Sequence, residues 1–293
     1  MPAARLGALL LPLALVAGCG GGASAPASGR LDVVTAAYPF QWLTEQVGGP
    51  DVSITDLVKA GAEPHDVELS PRQVSAIKTA GLVVYLRGFQ PAVDAAVGEA
   101  DHPPLDLATV VAQQPLVGGD ETSSKDPHVW LDPVRMQTIA TTIGDRLAQQ
   151  DPAHAAGYRS RAAATVVRLA GLDTLFRTSL TGCKTEDIVT SHSAFGYLAS
   201  RYGLVQRGIS GLSPDAEPAP GRIAAVAVFA RQHHVTTIFF ESLVDPKVAN
   251  TVASEVGAKT AVLDPVEGVK DSDDYLSVQT RNAAALHLAL GCS

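Results

Sequence analysis

Short apolar runs alternate along the chain with longer amphipathic stretches, and turn residues separate them. Runs rich in Val and Ile that are too short for a helix predict β-strands at 31–36, 52–58, 82–86, 188–190, 205–209, 236–240 and 260–263. Stretches that open with helix caps such as Ser70-Pro71 and Asp132-Pro133 predict helices at about 39–47, 71–80, 133–150, 152–180, 194–202, 220–233, 246–257 and 272–290. Strands that alternate with helices in this way indicate βα units and parallel sheets.

The longest predicted helix divides the pattern into two halves. It opens at Asp151-Pro152, and nearly thirty helical residues would span on the order of 40 Å. The sequence therefore predicts an α/β fold of two lobes, each with a parallel sheet flanked by helices, joined by a single long linker helix. The expected boundaries are 31–151 for the first lobe, 152–180 for the linker and 181–293 for the second lobe.

The N-terminus has the pattern of an export signal. Arg5 precedes an apolar run that ends in Val16-Ala17-Gly18 and is followed by Cys19. The run is too short to span a bilayer, and its small residues before a cysteine are typical of a bacterial lipoprotein signal. We expect residues 1–18 to be removed, Cys19 to be lipidated, and residues 19–30 to form a flexible tether to the membrane. An ordinary signal peptide with an incidental cysteine is the alternative.

Composition narrows the class of protein further. The chain has 293 residues and a formal net charge of −8. An acidic surface without a basic stripe excludes nucleic acid as the expected partner. Cys183 and Cys292 form an even pair once Cys19 is set aside, which predicts a disulfide in an exported protein, with two free thiols as the alternative.

Four good metal ligands lie where predicted strands give way to loops or where a capped helix begins. His65 follows the second strand, His128 precedes the helix that opens at Asp132-Pro133, His192 follows 188–190, and Asp264 follows 260–263. In open α/β sheets, small molecules and ions bind beyond the carboxyl ends of the strands. Three imidazoles and one carboxylate complete a tetrahedral set for Zn²⁺. Because two of the four belong to each half, they would meet in the cleft between the lobes.

The chain resembles the substrate-binding lipoproteins of zinc and manganese ABC importers from about residue 31 to its C-terminus. The segments that carry the resemblance are Glu63-Pro64-His65-Asp66, Pro127-His128-Val129-Trp130-Leu131-Asp132-Pro133, Ser191-His192-Ser193-Ala194-Phe195-Gly196-Tyr197-Leu198-Ala199, Leu212-Ser213-Pro214-Asp215-Ala216-Glu217-Pro218 and Leu263-Asp264-Pro265. The resemblance implies two lobes, a rigid helix between them and a metal ion in the cleft.

The same resemblance ranks the ligands and the metals. It implies Asp264 as the fourth ligand and leaves Glu241, after the strand 236–240, as its rival. His192 favours Zn²⁺ over Mn²⁺, since the manganese proteins of the family tend to carry Glu there and Mn²⁺ prefers oxygen ligands. One departure is that 113–126 contains acidic residues but no His, whereas many zinc-type relatives have a His-rich loop there.

The function implied is capture of Zn²⁺ and its delivery to an ABC permease with a cytoplasmic ATPase. We expect a lipid-anchored monomer outside the cell membrane that is not an enzyme; Mn²⁺ remains the alternative metal. The chain has no P-loop, so ATP hydrolysis belongs to a partner. A surface-anchored zinc hydrolase is the rival class, but neither HExxH nor a Gly-x-Ser-x-Gly elbow is present. An adhesin with structural zinc is a further alternative.

Overall fold

The structure, a computed structural model, describes Met1 and residues 29–59, 61–116, 125–214, 216–269 and 273–293. The predicted signal segment, Cys19 and most of the tether lie outside the described residues, as do residues 117–124 of the acidic stretch 113–126. Within the described ranges, no helix is long and apolar enough to cross a bilayer.

The first lobe is a four-stranded parallel sheet with helices around it. Its strands are β1 (Leu31–Thr35), β2 (Val52–Asp56), β3 (Leu82–Tyr85) and β4 (Leu105–Asp106), in the order β2-β1-β3-β4. Its helices are α1 (Tyr38–Gly48), α2 (Pro71–Thr79), α3 (Pro91–Ala96) and α4 (Pro133–Gln150). Ser70 caps α2 by accepting from the Gln73 N–H, and Asp132 caps α4 through the Val134 N–H, as the two Pro-containing start signals predict.

A long helix connects the lobes. A 3₁₀ turn at Pro152–His154 leads into α5 (Ala155–Ser179), which packs along α4 and α1. Leu169, Leu172 and Phe176 form part of its buried face. Arg161 ties α5 to the end of α1 by donating to the Val47 and Gly48 carbonyls and to Asp51. The linker is therefore packed against the first lobe over much of its length.

The second lobe repeats the architecture of the first. Its strands are β5 (Asp187–Thr190), β6 (Val205–Gly208), β7 (Thr237–Phe240) and β8 (Lys259–Val262), all parallel and in the order β6-β5-β7-β8. Its helices are α6 (Gly196–Tyr202), α7 (Pro220–Gln232), α8 (Lys247–Val256) and α9 (Tyr275–Leu290). Cys183 and Cys292 are joined by a disulfide across 109 residues, which fastens the end of this lobe to its beginning.

The two-lobe α/β fold predicted from the sequence is confirmed. Two elements were not predicted from the sequence: the six-residue helix α3 and the two-residue strand β4. Both are too short for a hydrophobic period to develop. β4 is placed by its parallel pairing with β3, a tertiary contact that no local pattern reports.

Buried aromatic side chains join the lobes. Trp42 of α1 stacks on Tyr275 of α9 with ring centroids 4.8 Å apart. Trp130, in the loop before α4, donates from Nε1 to the Pro265 carbonyl at 2.7 Å, and the Tyr275 hydroxyl donates back to the Trp130 carbonyl at 2.5 Å. Arg201 of α6 binds Asp132 in a bidentate pair. These contacts fix the register in which the carboxyl ends of the two sheets face each other.

Candidate metal centre

His128 is the ligand that the first lobe holds most firmly. Its side chain is fully buried, and the residue lies immediately before the 3₁₀ turn Val129–Leu131 that precedes α4. One carboxylate oxygen of Asp126 accepts from both the His128 backbone N–H, at 2.9 Å, and the ring Nδ1, at 2.7 Å. An ionised carboxylate only accepts, so Nδ1 carries a proton, and Nε2 is the nitrogen whose lone pair becomes available to a metal once its own proton has left.

His192 has the equivalent arrangement in the second lobe. It follows β5 by two residues and is fully buried. Its Nδ1 lies 2.6 Å from Oε1 of Glu241, which directly follows β7, and the Ser191 hydroxyl donates to the same oxygen. Glu241, the rival fourth ligand of the sequence analysis, thus holds Nδ1 of His192, which leaves Nε2 of the same ring facing the cleft.

His65 comes from the long loop between β2 and α2. Its backbone N–H donates to Oε1 of Glu63 at 2.8 Å, and its ring packs edge-on against Phe89 with centroids 4.9 Å apart. The residue is 6% exposed. Gln90 bonds the carbonyl of Pro64 and that of Ala36 at the same time, which ties this loop to the end of β1.

The fourth group at the centre is Glu267, which the sequence analysis missed. Its Oε1 lies 3.1 Å from Nε2 of His128, 3.2 Å from Nε2 of His65 and 3.8 Å from Nε2 of His192. One ligand atom from each of these four residues lies within 4.8 Å of the others, and all four side chains are buried. Ligands 2.0–2.1 Å from a tetrahedral Zn²⁺ would be about 3.3 Å apart. The two shorter separations from Glu267, and the 3.4 Å between Nε2 of His128 and Nε2 of His192, match that spacing.

The prediction that Asp264 is the fourth member of the set is corrected by this geometry. Asp264 lies outside the group of converging ligand atoms. Its Oδ1 accepts from the backbone N–H of Val266 at 2.7 Å, and its Oδ2 accepts from the Ser242 hydroxyl. Asp-Pro sequences favour turns in which the Asp side chain bonds the backbone two residues on. Because the turn uses the Asp264 carboxylate locally, the sequence signal for the fourth ligand is the next acidic residue, Glu267.

The electrostatics of the cluster favour a bound cation. Burial disfavours the imidazolium of His128, but hydrogen bonds to Asp126 and Glu267 outweigh it and raise the pKa of His128 to about 9. For Glu267, burial is outweighed by hydrogen bonds from the His128 and His65 imidazoles, which hold its pKa well below the usual range. Burial dominates at His65 and lowers its pKa. Carboxylates thus attract positive charge into a space that three imidazoles share.

Comparisons with known proteins all point to one family. The family model of the zinc-uptake complex component A (ZnuA), described as periplasmic, matches residues 33–289. The chain is 34% identical to the high-affinity zinc uptake system protein ZnuA of Bacillus subtilis (strain 168), over 93% of this chain and 92% of that protein. It is also 34% identical to the zinc-binding lipoprotein AdcA of Streptococcus pneumoniae serotype 4, but it spans only 56% of that longer protein.

Solved structures show the same likeness. The Zn(II)-bound ZnuA-like domain of Streptococcus pneumoniae AdcA superposes with a TM-score of 0.77 at 34% identity, over 89% of this chain and 99% of that domain. The laminin-binding protein of Streptococcus agalactiae, described as bifunctional with adhesin and metal transporting activity, gives a TM-score of 0.81 at 30% identity, over 89% of this chain and 99% of that one.

The fold and the buried cluster define a two-lobe α/β binding protein with a metal-binding centre between its lobes. The chain belongs to the ZnuA family of zinc-uptake components. Family membership confirms the predictions of a zinc-binding, extracytoplasmic component of an uptake system and of a protein that is not an enzyme.

Proposed function

We propose that this protein captures one Zn²⁺ in the cleft between its lobes and delivers it to an ABC permease for import. The ligands are the Nε2 atoms of His65, His128 and His192 and a carboxylate oxygen of Glu267. The observation that carries the proposal is the convergence of these buried atoms at the spacing of a tetrahedral zinc shell. Ligands drawn from both lobes make binding sensitive to how the lobes are arranged.

The donor set supports Zn²⁺ over Mn²⁺. Three imidazole nitrogens and one carboxylate match the ligands and coordination number of zinc, whereas Mn²⁺ favours more oxygen ligands. Glu267 takes the position that a catalytic zinc site would leave open for water. This argues against the zinc hydrolase considered from the sequence.

Burial of the site sets the conditions for delivery. His128 and His192 are inaccessible to solvent, so an ion can enter or leave only when the lobes or the loops that carry His65 and Glu267 move. Docking on the permease would supply that movement by separating the ligands of one lobe from those of the other. The ATPase on the cytoplasmic side would drive the step.

The attachment of the protein is part of the proposal. Cys19 is the lipidated residue, and the stretch after it tethers a monomer to the outer face of the cell membrane. The lipobox pattern supports this, as does the lipoprotein description of AdcA. Mass spectrometry of the membrane-extracted protein tests it, since a diacylglyceryl mass on Cys19 is expected and an unmodified N-terminus would contradict it.

Metal selectivity tests the proposal directly. Zn²⁺ should raise the melting temperature of the metal-free protein strongly, because a ligand that binds only the folded state stabilises it by about 2.7 kcal/mol at a hundred times its Kd. Mn²⁺ at the same concentration should stabilise it less. Equal stabilisation by the two ions would contradict the zinc assignment. The variant His192→Glu should narrow the difference between the metals by replacing an imidazole with a carboxylate.

A further inference from the structure

We propose that Asp264 is a positioning residue for the metal centre: it holds Val266 in a left-handed backbone conformation and thereby directs Glu267 at the three histidines. The inference rests on the proposed role of Glu267 as a zinc ligand. It gives Asp264 a function that does not require its carboxylate to touch the metal.

The backbone immediately before Glu267 is strained. Val266 has φ of 59°, in the region that a β-branched residue strongly disfavours. Among the described residues other than glycine, only His234 shares a positive φ, and it lies in the turn before β7. A strained backbone conformation persists only where surrounding contacts hold it in place, and such residues are frequent at functional sites. Val266 directly precedes Glu267, whose carboxylate lies among the three histidines.

Asp264 supplies the interaction that holds this conformation. Its Oδ1 accepts from the Val266 N–H at 2.7 Å, while the Ser242 hydroxyl holds the other oxygen. Asn282 of α9 fixes the Asp264 backbone on both sides, since its Oδ1 accepts from the Asp264 N–H at 2.9 Å and its Nδ2 donates to the Asp264 carbonyl at 2.7 Å. The carboxylate is therefore a fixed anchor from which the turn is built.

The rest of the turn is also fixed. The ring of Pro265 restricts its own φ, and the Pro265 carbonyl accepts from Trp130 Nε1 of the opposite lobe. The Val266 side chain is fully buried in the main hydrophobic core. Contacts therefore restrict the backbone at each of the three residues that precede Glu267. Such preorganisation strengthens binding because less conformational entropy is lost when the metal is bound.

The test measures zinc affinity by competition with a chromophoric chelator, together with the melting temperature of each metal-free variant. Asp264→Ala should weaken zinc binding by about tenfold to a hundredfold, the effect of losing an outer partner of a ligand. Asp264→Asn keeps an acceptor oxygen for the Val266 N–H and should stay within about threefold of the wild type. Asp273→Ala is the matched control, because Asp273 is a half-exposed carboxylate paired with Arg281 and its loss should change nothing.

A double variant separates positioning from general stability. Glycine adopts the left-handed conformation without strain, so Val266→Gly in the Asp264→Ala background should recover most of the lost affinity, although deleting a buried side chain lowers the melting temperature further. A merely structural role for Asp264 predicts the opposite, with affinity falling again as stability falls. Should Asp264→Ala not fold, Asp264→Ser offers a weaker acceptor, and its loss of affinity must likewise be reversed by Val266→Gly.

Glu267→Ala separates failure of this inference from failure of the proposed function. If the wild type binds no zinc, or if Glu267→Ala leaves the affinity unchanged, the proposed ligand set is wrong. If Glu267→Ala weakens binding while Asp264→Ala binds as the wild type does, the ligand set stands and the positioning role is overturned. Failure of Val266→Gly to restore affinity would overturn it as well.

Discussion

The two lobes share one strand order but secure their metal ligands differently. In the first lobe, the carboxylate that orients His128 is Asp126, two residues earlier, and it holds both the ring and the backbone. In the second lobe, the partner of His192 is Glu241, which comes from a different strand end 49 residues away. One lobe therefore builds its fixed histidine within a local turn, and the other builds it through the sheet.

The loop-borne ligands differ in the same sense. His65 lies on a loop that contacts its own lobe through Gln90, whereas the turn before Glu267 is clamped by Asn282 from its own lobe and by Trp130 from the other. The second lobe also carries the disulfide. Tertiary contacts thus fix the second lobe's contribution to the site, while local sequence fixes more of the first lobe's. Changes matched between the lobes can test this difference.

The largest effect is expected from removing a ligand. His128→Ala deletes one of four donors, and if the apparent binding energy of structural zinc sites is shared among their ligands it should cost about 3 kcal/mol, or more than a hundredfold in affinity. Isothermal titration with Zn²⁺ and a competing chelator measures it. His154→Ala is the control, because His154 is exposed and paired with Asp151 away from the site. Equal losses in the two variants would contradict the centre.

The disulfide should affect stability more than zinc binding. It closes a loop of 109 residues, and removing such a link typically costs about 2–5 kcal/mol. We expect Cys183→Ser/Cys292→Ser to melt at a markedly lower temperature in calorimetry and to unfold at a lower denaturant concentration. Its zinc affinity, measured well below that temperature, should remain near that of the wild type. A large loss of affinity would show that the site depends on the far end of the second lobe.

How much of this could be predicted depends on whether a residue's role is local. The longer strands, the long helix and the three histidines follow from short-range patterns, because His128 lies before a helix cap, His192 follows a strand end and His65 lies in the loop after β2. Asp264 was predicted from the same rule and is corrected for a local reason, since an Asp-Pro turn uses its carboxylate. The place of Glu267 in the site and the pairing of Glu241 with His192 depend on contacts between chain segments far apart in sequence. Local sequence patterns do not report such contacts.

Neutralising the orienting carboxylates compares the lobes directly. Asp126→Asn and Glu241→Gln should each weaken zinc binding by about tenfold to a hundredfold, since both leave a buried imidazole without its charged partner. Asp126→Asn should have the larger effect, because Asp126 also holds the His128 backbone. The measurement is zinc affinity with the melting temperature of the metal-free variants as control. A larger effect of Glu241→Gln would reverse the assignment of local and tertiary control.

Zinc affinity should rise with pH. The pKa of His128 is about 9 in the metal-free protein, because its carboxylate partners outweigh burial, and zinc requires the neutral imidazole. Below that value each bound ion displaces a proton, so affinity should increase by about tenfold per pH unit for each proton released, from about pH 6.5 to about pH 8.5. Titrations in buffers of different ionisation enthalpy count the protons. Asp126→Asn should flatten the dependence, and a flat wild-type profile would contradict the charged state of His128.

The last effect, on stability and not on zinc binding, concerns a position at which the lobes diverge. In the first sheet Thr35 pairs with Asp56, and in the second the equivalent Thr190 pairs with Gly208. Burial, opposed by the hydrogen bond from the Thr35 hydroxyl, raises the pKa of Asp56 to about 7. Since this folded pKa exceeds the unfolded value, the stability that Asp56 contributes is present at low pH and is lost as the pH rises through about 7.

Asp56→Asn removes that ionisation. It should therefore raise the free energy of unfolding by about 2–3 kcal/mol more at pH 8 than at pH 5, because the wild type has to ionise a buried carboxyl over that range at a cost of about 1.4 kcal/mol per pH unit up to the folded pKa. Urea unfolding of the metal-free protein at the two pH values measures the difference. Glu99→Gln, which neutralises an exposed carboxyl of the same lobe, serves as the control. A gain that is equal at both pH values would assign the effect to the amide's own hydrogen bonds and not to the buried charge.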